Sequence, residues 1–215
     1  MNKNNILIWA IFSFIAFFLV AINLNNVHVI ALDSQISNFV ISSQVSWLTS
    51  FCSILSVIFE PIYVVLFVLI LSIILWTRKF RNESLFLVFV SIAAGALIFL
   101  LKLLFVRVRP SVQFLAETGY SFPSGHALIS VVLFGSLIYF LLRIKSEWKR
   151  DCLVLFSYLG ILALGLSRVY LNVHWFSDIF GGYFLGATIL FVGVYLLKTN
   201  VFRKLFFSFN TYLTK

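Results

Sequence analysis

Apolar residues run in long blocks along this chain, broken by short polar segments. A helix needs about 20 apolar residues to cross the hydrocarbon core of a bilayer. Six blocks approach that length: Ile6–Ile22, Val57–Trp76, Leu85–Phe105, Ala127–Leu142, Cys152–Leu166 and Ile179–Leu197. The fourth and fifth are short and are expected to borrow residues from their flanks. The pattern predicts an all-α protein: one membrane-embedded domain over residues 1–215, built as an integral membrane bundle of six transmembrane helices. The first block exceeds the apolar core of a signal peptide and no small-x-small site follows it, so it is expected to stay as an anchor.

Between the first two blocks lies Asn23–Ser56, which contains no Lys or Arg. Ile36, Phe39, Val40, Trp47, Leu48 and Phe51 partly follow helical spacing there, behind Asp33 as a candidate N-cap. An interfacial helix or a hydrophobic loop packed on the bundle both fit this segment.

Composition excludes a soluble class. With 62% hydrophobic and 11% charged residues and a mean hydropathy of +1.08, the chain carries more apolar surface than a soluble fold of its size can hide. Cys52 and Cys152 are expected near opposite membrane faces, which argues against a disulfide. They lack metal-site spacing and read as packing residues.

Net charge is +9, which in a soluble protein would raise nucleic acid as a partner. Its placement points elsewhere. Lys3, Arg78, Lys79, Arg81, Arg143, Lys145, Lys149, Arg150, Lys198, Arg203, Lys204 and Lys215 all fall on one side of a six-span bundle. The positive-inside rule makes that side cytoplasmic, with both termini. Lys102, Arg107, Arg109 and Arg168 lie toward the outer face, against the rule, and so ask for a local reason.

Three clusters hold those cations. In Lys102-Leu-Leu-Phe-Val-Arg107-Val-Arg109-Pro110, Lys102 and Arg109 are two helical turns apart and would share a face, with Pro110 ending the helix. Two cations at a membrane surface suit a phosphate, and snorkelling to lipid headgroups accounts for them equally. In Phe122-Pro123-Ser124-Gly125-His126, Ser124 reads as an N-cap and Gly125 allows close backbone approach at a helix N-terminus, a natural anion site. A simple cap explains those letters almost as well. In Ser167-Arg168-Val-Tyr-Leu-Asn-Val-His174-Trp-Phe-Ser-Asp178, Asp178 stands four residues after His174, so its carboxylate can orient the imidazole as nucleophile or base. A structural His–Asp pair is the plainer alternative. Several ionisable groups at one membrane level favour a common site.

Together, Lys102-x6-Arg109-Pro110, Pro123-Ser124-Gly125-His126 and Ser167-Arg168-x5-His174-x3-Asp178 resemble the three-part signature of the type 2 phosphatidic acid phosphatase family, over residues 102–178. The resemblance implies a lipid phosphate or pyrophosphate phosphatase with its active site at the outer face. It makes His174 the nucleophile of a phosphohistidine intermediate, Asp178 its orienting carboxylate and His126 the proton donor. Lys102, Arg109, Ser124, Gly125 and Arg168 would hold the phosphate. No metal and no cofactor is implied. Arg107 lies off the motif face and is left out of the site. Glu117 is expected to be solvated, and Glu60 either contacts the cationic site, binds a headgroup amine or is an interfacial acid at a helix start.

Short bacterial-type chains of the family resemble undecaprenyl pyrophosphate and phosphatidylglycerophosphate phosphatases, with lipid A and phosphatidic acid as further substrates. The implied place is the bacterial inner (cytoplasmic) membrane. A transporter or binding protein for anionic lipid would use the same cations but needs no paired His–Asp and no second histidine. Vanadium haloperoxidases share the signature, but six spans argue against that soluble class.

Overall fold

The structure, a computed structural model, describes residues 2–199 and 201–202. Arg203, Lys204 and Lys215 of the expected cytoplasmic set lie outside the described residues. The described residues form helices α1 (Lys3–Ile22), α2 (Val27–Ser42), α3 (Ser46–Ile58), α4 (Pro61–Thr77), α5 (Arg81–Phe105), α6 (Gly125–Leu141), α7 (Glu147–Tyr170) and α8 (Phe176–Lys198).

Each of the six apolar blocks lies within one of these helices or nearly so, but they differ in reach. Helices α1, α5, α7 and α8 have 20 to 25 residues and are apolar enough to cross a membrane, at about 30–37 Å each. Helices α4 and α6 have 17 residues, or about 25 Å. Of the six expected spans, four are helices long and apolar enough to cross a membrane, and the second and fourth, α4 and α6, are shorter apolar helices. Helix α7 is longer than its apolar block because it starts at Glu147 and carries Lys149 and Arg150 in its first turns. Charged residues are cheap at a helix end that lies beyond the hydrocarbon.

The Asn23–Ser56 segment is two helices, α2 and α3, meeting at a bend of 120°. Asn26 caps α2, its side chain accepting from the His28 amide at 2.9 Å. Asp33 is therefore no N-cap. It sits in mid-helix and is buried. The pair lies across one end of the bundle. Ser37 donates to Asn172, Gln44 donates to the Tyr170 carbonyl, and Ser56 meets Arg168, all near the α7–α8 turn.

Helix α8 runs through the middle, packing on α1, α5 and α6. Phe86, Val90, Phe122, Leu128, Leu185 and Ile189 form the core between them. Outward faces of α1 and α4 expose residues such as Phe12, Phe14, Leu66 and Phe67, which cost nothing against lipid tails. Inside a membrane the hydrophobic effect cannot drive helices together, so close packing at small residues must. Gly182 and Gly186 of α8 serve this: a Cβ on either would lie 2.6 or 2.7 Å from the Ser124 or Leu128 carbonyl oxygen of α6. The backbone of α6 therefore rests directly on α8.

Alternation of the helices gathers Lys3, Arg78, Lys79, Arg81, Arg143, Lys145, Lys149, Arg150 and Lys198 at the end opposite α2–α3. There Arg143 donates to Glu83 at 2.7 Å, tying the loop after α6 to the first turn of α5. Both cysteines are free: Cys52 is buried against Leu171 and Val173, whereas Cys152 is exposed and does not pack.

Candidate active site

At the α2–α3 end, the chain leaves α5 earlier than the spacing of Lys102 and Arg109 suggests. The helix stops at Phe105, and Val106 adopts φ 48°, in the left-handed region. For an L-residue that costs about 1–2 kcal/mol, so neighbours must hold it. Ser121 does so, its amide donating to the Arg107 carbonyl at 2.8 Å, and the Trp175 indole donates to the Val108 carbonyl at 2.8 Å. Lys102 and Arg109 therefore do not share a helical face. Lys102 is in the last turn of α5 and Arg109 reaches the same place from the loop.

His174 precedes α8 and is buried, 3% exposed. Arg109 Nη1 lies 3.1 Å from its Nε2, and Asp178 Oδ2 lies 3.3 Å from its Nδ1. A guanidinium only donates and an ionised carboxylate only accepts. The pair therefore selects one tautomer: Nδ1 carries the proton toward Asp178, and Nε2 keeps its lone pair. Burial lowers the His174 pKa well below its usual value, with Arg109, Arg168 and Lys102 adding to the effect. Burial thus favours the neutral ring, whose Nε2 lone pair faces Arg109.

Asp178 is fully buried. Its Oδ2 also accepts from the Trp175 amide at 2.9 Å, and its Oδ1 accepts from Arg107 Nη1 at 2.5 Å. Arg107, left outside the site by the sequence reading, is thus in direct contact with the carboxylate that faces His174. The early end of α5 explains this, since helical phase no longer governs where Arg107 points.

His126 occupies the first turn of α6 and Ser124 caps that helix, its hydroxyl accepting from the Ala127 amide at 3.4 Å. The Ser124 amide donates to the Asp178 carbonyl oxygen at 3.1 Å, which joins the second and third clusters. His126 Nε2 lies 3.4 Å from the Ser56 carbonyl oxygen. Arg168, 0% exposed, donates through Nη1 to the Ser56 hydroxyl and through Nη2 to Glu117. Glu117 also lies 3.5 Å from Arg109. The expectation that Glu117 is solvated is corrected: it bridges two of the predicted phosphate ligands. Burial alone would raise its pKa, but Arg168 and Arg109 outweigh that and hold it below the usual carboxylate value.

These groups head a cavity of about 760 Å³. Lys102, Arg109, Gly125, His126 and His174 line it together with Glu60 and Glu117, and its body is apolar, walled by Val64, Val68, Leu87, Ala94, Ile98 and Leu133 of α4, α5 and α6. Ser124, Arg168 and Asp178 stand behind this lining. No group of three or more His, Cys, Asp or Glu side chains among the described residues is arranged to hold a metal ion. The arrangement offers a neutral imidazole nitrogen beside several cations, a second histidine across the same space, and an apolar channel leading away.

The model of the PAP2 superfamily matches residues 83–202, more than half of the chain. Phosphatidylglycerophosphatase B of Bacillus subtilis is 35% identical over 89 residues, covering 40% of this chain and 44% of that protein. Undecaprenyl-diphosphatase of Sulfolobus acidocaldarius is 35% identical over 88 residues, covering 41% and 39%. Each match spans less than half of the relative's length. The crystal structure of a transmembrane PAP2 type phosphatidylglycerolphosphate phosphatase from Bacillus subtilis shares the fold, with a TM-score of 0.79 at 24% identity over 86% of this chain and 94% of that one.

Proposed function

This chain belongs to the PAP2 superfamily and is an integral membrane protein, and from that premise we propose that it hydrolyses a phosphomonoester or pyrophosphate carried by a membrane lipid. The observation that carries this reading is the meeting of His174 Nε2, Arg109, Lys102 and His126 at the head of an apolar cavity. A soluble phosphate ester needs no such cavity, whereas a lipid tail does.

In the proposed reaction, His174 Nε2 attacks phosphorus and the bond from phosphorus to the lipid oxygen or leaving phosphate breaks. His126 delivers the proton that the leaving oxygen takes up. Lys102, Arg109 and Arg168 stabilise the equatorial oxygens, with the Ser124 hydroxyl and the Gly125 amide. Asp178 holds the Nδ1 proton as positive charge grows on the ring. Water, deprotonated by His126, then attacks phosphorus, the P–N bond breaks and inorganic phosphate leaves. Contact between Arg168 and phosphate requires Glu117 to yield its place on that guanidinium.

The lipid matches favour undecaprenyl pyrophosphate or phosphatidylglycerophosphate as substrate, ahead of lipid A and phosphatidic acid. We read α4 and α6 as spans as well, giving six, because local thinning and tilt of neighbours accommodate about 25 Å. The cationic end then faces the cytoplasm and the site faces outward, in a bacterial inner membrane.

The test is phosphate release by purified protein in detergent with EDTA, offering the four lipids in parallel and including His174→Ala. Release that vanishes in the variant is expected, and millimolar vanadate should suppress it. Strict dependence on Mg²⁺, or release unchanged in His174→Ala, would overturn the proposed chemistry.

A further inference from the structure

Arg107 and Asp33 take no part in the reaction above, yet they form a buried and densely hydrogen-bonded polar cluster. Arg107 donates through Nη1 to Asp178 at 2.5 Å and to the Ser177 hydroxyl at 2.7 Å, and through Nη2 to Asp33 Oδ2 at 2.7 Å. Asp33 Oδ1 accepts from the Ser177 amide at 2.9 Å and Oδ2 from the Ser177 hydroxyl at 2.6 Å. The side chains of Asp33 and Asp178 are 3% and 0% exposed and that of Arg107 is 14% exposed. One face of the guanidinium lies 5.8 Å from the Trp175 ring, within cation–π reach.

Two buried carboxylates thus share one guanidinium. Left without Arg107, both would be buried without a counter-charge, a costly state, and for Asp178 it would favour the neutral form. A protonated Asp178 would no longer be a pure acceptor for the Nδ1 proton of His174. Asp33 fixes the guanidinium from the far side, and through Ser177 it caps the first turn of α8, the turn that carries Asp178. Its helix, α2, lies outside the residues matched by the family model.

We propose that Asp33 and Arg107 are positioning residues for the His174–Asp178 pair: Arg107 keeps Asp178 ionised and turns Oδ2 toward His174, and Asp33 of α2 holds Arg107 in that pose. The bent α2–α3 pair thereby becomes part of the catalytic apparatus. This rests on His174 acting as the nucleophile.

The test uses full-length protein carrying Asp33→Asn, Arg107→Lys, Asp178→Asn and the Asp33→Asn/Asp178→Asn double variant, each shown to be folded by thermal melting in detergent. Asp33→Asn keeps the shape, but its single amide oxygen can replace only one carboxylate oxygen, so either the Ser177 amide contact at Oδ1 or the Arg107 and Ser177 hydroxyl contacts at Oδ2 are lost. In Arg107→Lys, an ammonium cannot span both carboxylates in a fixed plane. Misplacement of a reacting group by about 1 Å can cost 10²-fold, so kcat should fall about 10–100-fold in both single variants while KM changes less than about twofold. Acting through Asp178, Asp33→Asn should add less than about twofold to the loss already caused by Asp178→Asn. Wild-type kcat in Asp33→Asn, or losses that multiply in the double variant, would overturn the proposal.

A second readout separates it from the hydrolase reading. The ¹⁵N spectrum of the His174 ring should show the Nδ1–H tautomer in the wild type and a mixture in Asp33→Asn. If the wild type releases no phosphate from any lipid, the hydrolase reading falls, and an unchanged tautomer in Asp33→Asn would by itself sink the positioning role.

Discussion

A single methyl group at Gly182 should damage both stability and turnover. The Cβ of Gly182→Ala would lie 2.6 Å from the Ser124 carbonyl oxygen, 2.8 Å from Ala127 Cβ and 3.1 Å from the Leu128 amide nitrogen. Ordinary contact begins at 3.4 Å, so the overlap is about 0.8 Å, and the opposing atoms are mostly backbone that cannot rotate away. Helices α6 and α8 must separate by a similar amount. Overpacking of this kind costs about 1–3 kcal/mol, or a fall in melting temperature of roughly 3–10 °C for a chain of this size. Because α6 carries Ser124, Gly125 and His126 while α8 follows His174, the separation also shifts the two histidines relative to each other. A loss in kcat of up to about 10²-fold follows. Gly95→Ala is the control, since nothing lies within 4 Å of its Cβ, and it should melt at or slightly above the wild-type temperature. Gly135→Ala meets only the Leu190 side chain, its tip at 2.3 Å, and should fall between them because that side chain can move. Melting curves and phosphate release on the three variants decide the matter. Wild-type melting and turnover in Gly182→Ala would refute the view that α6 rests on α8 through backbone contact.

Four further outcomes are expected. Gly125→Ala should fold normally, because its Cβ would make only ordinary contact at 3.7 Å with Ile98; a loss of phosphate release of at least about tenfold, without a change in melting, would show that Gly125 serves ligand approach. Glu117→Gln should melt lower and bind vanadate about tenfold more tightly, since the charge that phosphate must displace from Arg168 and Arg109 is gone; unchanged vanadate affinity would count against that competition. In the wild type, the stability contributed by Glu117 should be complete above its ordinary pKa of 4.5 and be lost only as pH falls through its lower native value, a dependence absent from Glu117→Gln. Finally, the His174 resonance, assigned by difference against His174→Gln, should remain that of a neutral ring at pH 6 because its native pKa is lowered. Titration at or above 6.5 would remove the argument for a preformed nucleophile.

Local rules explain what was readable in the chain and what was not. Apolar run length located the helices because each bilayer crossing is a local demand, and Ser124 was readable as a cap because its partner is the Ala127 amide three residues on. The His174–Asp178 contact was legible for the same reason, at a separation of four. Lys102 and Arg109 line one cavity but not through the shared helical face expected of them, a phase the chain abandons at Val106, a position with no glycine or proline to announce a turn. The residues misjudged were those whose partners are distant. Arg107 meets Asp33 across 74 residues, Arg168 meets Glu117 across 51 and Ser56 across 112, and Asp33 meets Ser177 across 144. Motif spacing carries no information about such pairs.

A charge count could have flagged them. Four cations stand at the site end, Lys102, Arg107, Arg109 and Arg168, and four of the seven acids in the chain stand there too: Asp33, Glu60, Glu117 and Asp178. Buried charges are rarely tolerated unpaired, so cations placed against the positive-inside rule call for carboxylates at the same level. That balance also bears on catalysis. A phosphate entering this site meets guanidiniums already fixed by acids, Arg107 by Asp33 and Asp178, and Arg168 by Glu117. The site can therefore hold its cations in place before the ligand arrives, which is the condition under which electrostatic stabilisation costs no reorganisation during reaction. Of those acids, Glu117 is the one bonded to predicted phosphate ligands while also lining the cavity. Under the proposed reaction it is the carboxylate a phosphate would displace, whereas Asp33 and Asp178 stay behind the lining, bonded to Arg107 and, for Asp178, facing His174.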